Sequence, residues 1–197
     1  MVGYTLSILV ITQNTWLERL WRFVDCFLPE RFRHYWGHAA LILHRPGDWG
    51  ERHRAYLIEA RARGVVMRPW ESNELFQPGV LDWAILRLDP PLTPAEELLA
   101  IGFAMGRVGV FYGYPGLPSA ILLWLRRKWH AIKCSIFARF ASPSKLAQLE
   151  ARPWEFCSSL VVQVLAAAGR PIVDIPANLG LPDDIYNSPH LRIVWAD

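Results

Sequence analysis

Between Tyr4 and Leu88 the sequence alternates short apolar runs with turn-forming residues, and this rhythm constrains the fold more than any other feature. The runs are Tyr4 to Ile11, His38-Ala39-Ala40-Leu41-Ile42-Leu43, Tyr56-Leu57-Ile58-Glu59-Ala60, Gly64-Val65-Val66-Met67-Arg68 and Trp83-Ala84-Ile85-Leu86-Arg87-Leu88. Each is short for a helix, and most are rich in the β-branched and aromatic residues that suit a pleated surface. Pro46 to Gly50 gives a short turn between the second and third runs, as expected of neighbouring antiparallel strands. The four runs from His38 to Leu88 therefore read as an antiparallel meander. Tyr4 to Ile11 lacks a basic leader and a small-residue cleavage site, so it reads as a buried strand and not as an export signal. Leu191-Arg192-Ile193-Val194-Trp195 is a final strand.

Helices are signalled between and after the strands. Thr15-Trp16-Leu17-Glu18 has the capping-box pattern, and Leu17, Leu20, Trp21, Val24 and Phe27 recur at helical spacing until Pro29. Thr93-Pro94-Ala95-Glu96 repeats that pattern, with Pro94 at a first-turn position where its missing N–H costs nothing, and predicts a helix to about Met105. A loop follows from Gly106 to Pro118. Cys157 opens the run Cys157 to Ala168, and Gly169 supplies the left-handed residue that closes a helix.

The 197 residues fit one domain spanning 1–197, and a hydrophobic fraction of 52% with 20% charged residues excludes a disordered chain. Cys26, Cys134 and Cys157 are odd in number and lack short metal-type spacing, which argues against a disulfide framework and a zinc site. No metal and no cofactor is expected. The net charge of +3 is concentrated between Ala120 and Lys145, which carries Arg126, Arg127, Lys128, Lys133, Arg139 and Lys145 and no acidic residue. So local an excess gives no whole-protein footprint for nucleic acid.

The residues that carry chemistry are Cys157, His38 and Glu59. A thiol at the first turn of a helix feels unpaired N–H groups and the positive end of the helix dipole, which favour the thiolate. Taken alone, a cysteine on an apolar helix is more often a small core residue, and a lone histidine at a strand start a structural one. Glu59, however, lies inside an apolar strand and needs a partner there, and His38 supplies one if the two strands are neighbours. Together the three satisfy the logic of a nucleophile, a base and a group that orients the base.

Four segments then resemble the permuted papain-like branch of the NlpC-type peptidases and amidases, the YiiX-like group. They are Trp36-Gly37-His38-Ala39-Ala40-Leu41-Ile42-Leu43, then Leu57-Ile58-Glu59-Ala60 with Gly64-Val65, then Phe156-Cys157-Ser158-Ser159-Leu160-Val161, and finally Leu181 to Leu191. The resemblance implies an α+β fold with an antiparallel sheet packed against the helix bearing the nucleophilic cysteine. In ordinary papain-like enzymes the cysteine precedes the histidine, and circular permutation accounts for the reverse order here. The resemblance further implies hydrolysis of an amide bond through a thioacyl intermediate on Cys157, with His38 as base and Glu59 orienting it. Tyr112 and Tyr114, in a segment that lies near the cleft in such proteins, are expected to touch a peptide-like or acyl small-molecule substrate. Relatives often carry an acidic residue directly after the Cys-Ser pair, where this chain has Ser159.

The stretch at about 119–145 stands outside that resemblance as a basic, apolar insert. A lid or buried helix is the plain expectation for it, and a peripheral membrane contact through residues 120–140 is the sharper one. Arg126-Arg127-Lys128 would sit in the middle of any transmembrane span, which argues against one. The location implied is cytoplasmic, with membrane association as the variant. Two other functions compete with an amidase or peptidase. One is a lipid-directed acyltransferase or thioesterase of the related lecithin-retinol acyltransferase-like group, and the other is a non-catalytic binding protein that keeps the fold.

Overall fold

The computed structural model describes residues 4–13, 36–45, 55–61, 64–111, 157–174 and 180–196. The helix predicted after Thr15, Cys26, Tyr112, Tyr114, Cys134 and the basic stretch at 119–145 lie outside them. The described strands are β1 (Thr5–Gln13), β2 (His38–His44), β3 (Ala55–Arg61), β4 (Gly64–Trp70), β5 (Val80–Leu88) and β6 (Leu191–Ala196). A 3-10 helix (Ser72–Phe76) joins β4 to β5, and the α-helices are α1 (Pro94–Arg107), α2 (Cys157–Ala167) and α3 (Pro182–Tyr186).

All six strands form one antiparallel sheet in the order β4-β3-β2-β1-β5-β6. With its helices this is an α+β architecture. The meander runs through β1, β2, β3 and β4 and stops there, because β5 pairs with the far edge of β1 instead of with β4. The reason is visible in β1, whose Leu6 to Thr12 are all buried and which is flanked on both sides by strands. The 3-10 helix carries the chain across the sheet, anchored by Leu75 in the core. Pro69, with no N–H to donate, sits on β4, the edge strand.

Alternation along the strands makes two apolar layers. Leu6, Ile8 and Val10 of β1, Ala39 and Leu41 of β2, and Ile58 and Ala60 of β3 face the α-helices. Leu160, Val161, Val164 and Leu165 of α2 and Ala100 and Ala104 of α1 complete that layer. Leu9, Ile11, Ala40, Ile42, Leu57, Trp70, Trp83 and Ile85 belong to the opposite layer, with Leu75. Each buried Leu, Ile or Val contributes ~1.5–3 kcal/mol, so α2 is held to the sheet by several such contacts.

The helix ends follow local chemistry. Thr93 Oγ1 accepts the Glu96 N–H at 3.3 Å and Glu96 Oε2 accepts the Thr93 N–H at 2.7 Å, a complete capping box. Helix α1 runs to Arg107, slightly beyond the predicted end, and Arg107 Nη2 reaches Gln163 Oε1 of α2 at 3.3 Å. Gly169 follows α2 at φ +77, the left-handed region its sequence position predicts. Among the described residues no helix is long and apolar enough to cross a membrane.

Candidate active site

Helix α2 begins beside the start of β2, and that placement brings Cys157 to His38. The start of β2 is fixed from three sides. The Gly37 N–H donates to Ile11 O of β1 at 3.1 Å, and the Trp36 N–H donates to Asp183 Oδ1 of α3 at 3.3 Å. The Trp36 ring also lies on Tyr186 of α3, with centroids 4.7 Å apart. The first turn of α2 is held in turn by Ser158, whose Oγ donates to Gly180 O at 2.6 Å from a buried position. The closing segment around α3 thus braces both halves of the site.

Glu59 arrives from the neighbouring strand. The β2–β3 register sets Leu41 against Ile58, so Glu59 falls across from Ala40, diagonal to His38 and on the same face. His38 Nε2 lies 2.9 Å from Glu59 Oε2. Cys157 is on the helix side of the sheet, whereas the strand alternation puts Glu59 on the other. The His38 ring, first residue of its strand, links the two layers around the sheet's end. With Nε2 engaged by Glu59, Nδ1 is the ring nitrogen left for the Cys157 sulfur, to which the ring is hydrogen-bonded. The His38 side chain keeps 20% of its exposure, and the thiol is half-buried.

Sequence reasoning missed what stands behind Glu59. Its Oε1 accepts from Arg61 Nε at 2.7 Å and from Arg68 Nε at 2.8 Å. Arg68 then grips Glu74 of the 3-10 helix, Nη1 to Oε1 and Nη2 to Oε2, each at 2.7 Å. Period-two alternation puts Arg61 on the face of Glu59. Only the β3–β4 register, Leu57 opposite Arg68, brings in the second arginine.

These contacts set the charges. Burial by itself favours neutral His38, but the negative sulfur of Cys157, its hydrogen bond and Glu59 outweigh burial and push the imidazole up to about 10. Burial likewise opposes ionisation of Cys157. The His38 charge and hydrogen bond, with the N–H groups of Ala39 and Ser158 pointing at the sulfur, bring the thiol below its ordinary value. For Glu59, burial would raise the carboxyl, yet His38, Arg68 and Arg61 hold it down at about 2. These influences favour the proton on His38 over Cys157, with an ionised Glu59 behind the ring.

No family model matches the chain, and no curated protein matches its sequence. Among solved structures it is similar to the crystal structure of metalloprotein yiiX from Escherichia coli O157:H7, DUF1105, with a TM-score of 0.58. The two are 12% identical, and the match covers 98% of this chain and 97% of that one. At that identity the likeness is one of fold, along nearly the whole of both chains.

Proposed function

We propose that the chain is a cysteine hydrolase of the permuted papain-like type that cleaves an amide bond. The observation that carries this reading is the His38 ring placed between Glu59 Oε2, at 2.9 Å, and the sulfur of Cys157 at the start of α2. The Cys157 thiolate attacks the carbonyl carbon, forming a C–S bond, while the oxyanion is held by the Cys157 N–H at the helix start. The C–N bond breaks as His38 gives its proton to the leaving amine. Neutral His38 then takes a proton from water, whose oxygen attacks the thioester. The C–S bond breaks, and the thiolate–imidazolium pair is restored. Glu59 keeps Nε2 protonated and Nδ1 aimed at the sulfur throughout. The strand-then-helix order of His38 and Cys157 supports the permuted arrangement.

The structural neighbour is a metalloprotein, but the residues here do not fit a metal ion. Among the described residues no group of three or more His, Cys, Asp and Glu is placed to hold one. Glu59 spends three of its roughly four acceptor sites on His38, Arg61 and Arg68, and the two guanidinium charges beside it disfavour a cation there.

The same thioester serves acyl transfer when an alcohol or amine replaces water. Transfer at a lipid surface is the second reading, favoured by the cationic, Trp-containing sequence of residues 120–140. Intact-mass analysis after exposure to p-nitrophenyl acetate and to a thiol-directed electrophile tests the first. One acyl or alkyl group is expected on the wild type and on Cys26→Ala and Cys134→Ala, and none on Cys157→Ala. Equal modification of every variant would sink the assignment.

A further inference from the structure

A carboxylate that serves one imidazole does not need two guanidinium groups at its back. Glu59 gives Oε2 to His38 and Oε1 to both Arg61 and Arg68. Two positive charges on one acid would leave little negative field at the ring, and would work against an imidazolium there. Arg61 is 52% exposed at its side chain, so water screens much of its charge. Arg68 is only 27% exposed, and its charge is met from the other side by Glu74. One planar guanidinium therefore lies between two carboxylates, Nε on Glu59 and both Nη atoms on Glu74. A lysine has no fork with which to do this.

Glu74 is itself held. Its Oε1 accepts the Glu71 N–H at 3.4 Å, its own N–H donates to Glu71 O at 3.0 Å, and the next residue, Leu75, is buried in the sheet layer that includes Trp70 and Trp83. His38 meets the charges of Cys157 of α2 and Glu59 of β3 directly, while Arg61 of β3, Arg68 of β4 and, through Arg68, Glu74 of the 3-10 helix bear on it through Glu59. Their signs alternate outward from the sulfur.

The geometry points to Glu74 as a positioning residue for the Cys157–His38 pair: by fixing and neutralising Arg68, it holds Glu59 Oε2 on the ring and sets how much negative charge His38 feels. This rests on the reading of His38 as base. It also assigns a task to the 3-10 helix beyond carrying the chain from β4 to β5, since the segment delivers an acid to the back of the site.

The test is the pKa of His38, followed by NMR of the ring in the full chain in a Cys157→Ala background, where the thiol no longer contributes. Glu74→Gln keeps the shape of the side chain and should lower the His38 pKa by ~0.5–1 unit, because Glu59 is then outnumbered by two cations. Glu74→Asp, which keeps the charge, should recover most of that shift. A purely structural role would lower the melting temperature of both variants without separating Asp from Gln in the titration. Equal His38 shifts in both, or no shift in Glu74→Gln while Glu59→Gln moves the value, would overturn the inference and leave the base assignment standing. If Glu59→Gln also fails to move His38, the acid–base pairing itself is wrong.

Discussion

Replacing Glu59 by Gln keeps the volume of a buried side chain and removes the charge on which His38, Arg61 and Arg68 converge. The magnitude follows from linkage. A carboxyl near 4.5 in the unfolded chain and held at about 2 in the folded one contributes ~3 kcal/mol of stability at neutral pH. Its folded value is the lower one, so the contribution is present above the unfolded value and lost as pH falls through the folded value. Roughly 2 of those ~3 kcal/mol should be gone by pH 3. Urea unfolding of wild type and Glu59→Gln at pH 7, 5 and 3 reads this directly. The variant should be less stable at pH 7 by ~3 kcal/mol, and the gap should narrow to ~1 kcal/mol at pH 3. Activity toward p-nitrophenyl acetate should fall by ~10²–10⁴-fold, as for other bases that lose their orienting acid. A gap that stays constant from pH 7 to pH 3 would refute the claim that Glu59 is ionised and paired.

Gly64 adopts φ +125, and a Cβ there would lie 2.5 Å from Val110 O, the acceptor of the Val65 N–H. Gly64→Ala should cost ~1–3 kcal/mol in thermal unfolding, whereas Gly102→Ala in α1, where a Cβ meets nothing within 4 Å, should be neutral or stabilising. Leu160→Ala, at a fully buried position on α2, should cost ~2–5 kcal/mol and lower the rate of Cys157 alkylation at pH 6 as the helix start loosens. If residues 120–140 meet a membrane surface, wild type should co-sediment with vesicles containing phosphatidylserine, and the triple replacement of Arg126, Arg127 and Lys128 by Glu should not. Failure of wild type to sediment at low salt would remove the lipid-transfer reading.

Much of the sheet could be read in the sequence because short apolar runs between turn residues have few alternatives to strands, and the observed strands fall on those runs. The neighbour of β5 could not. Hydrophobic pattern says which side chains are buried but not which edge a strand joins, and β1, buried from Leu6 to Thr12, is flanked on both sides. At the site, Cys157 was marked by its helix start and Glu59 by being an acid inside an apolar run. His38 gained weight from the proximity of the two strands, and the register brings them together. Arg68 and Glu74 carry no comparable local mark. Arg68 is one more charged residue on an edge strand, and its meaning comes from a diagonal contact across β3 and β4 and a second contact on the 3-10 helix. Tyr112 and Tyr114 lie outside the described residues.

The most direct test of the thiolate–imidazolium pair is the rate of Cys157 alkylation by iodoacetamide from pH 4 to pH 10, in wild type and in His38→Ala. In wild type the alkylation should stay fast below the ~8.5 of a free thiol, because His38 carries the proton. In His38→Ala it should fall off on the acid side with a midpoint near that of a free thiol. Superimposable profiles for the two proteins, each with a midpoint near ~8.5, would show that His38 does not activate Cys157 and would contradict the proposed mechanism at its first step.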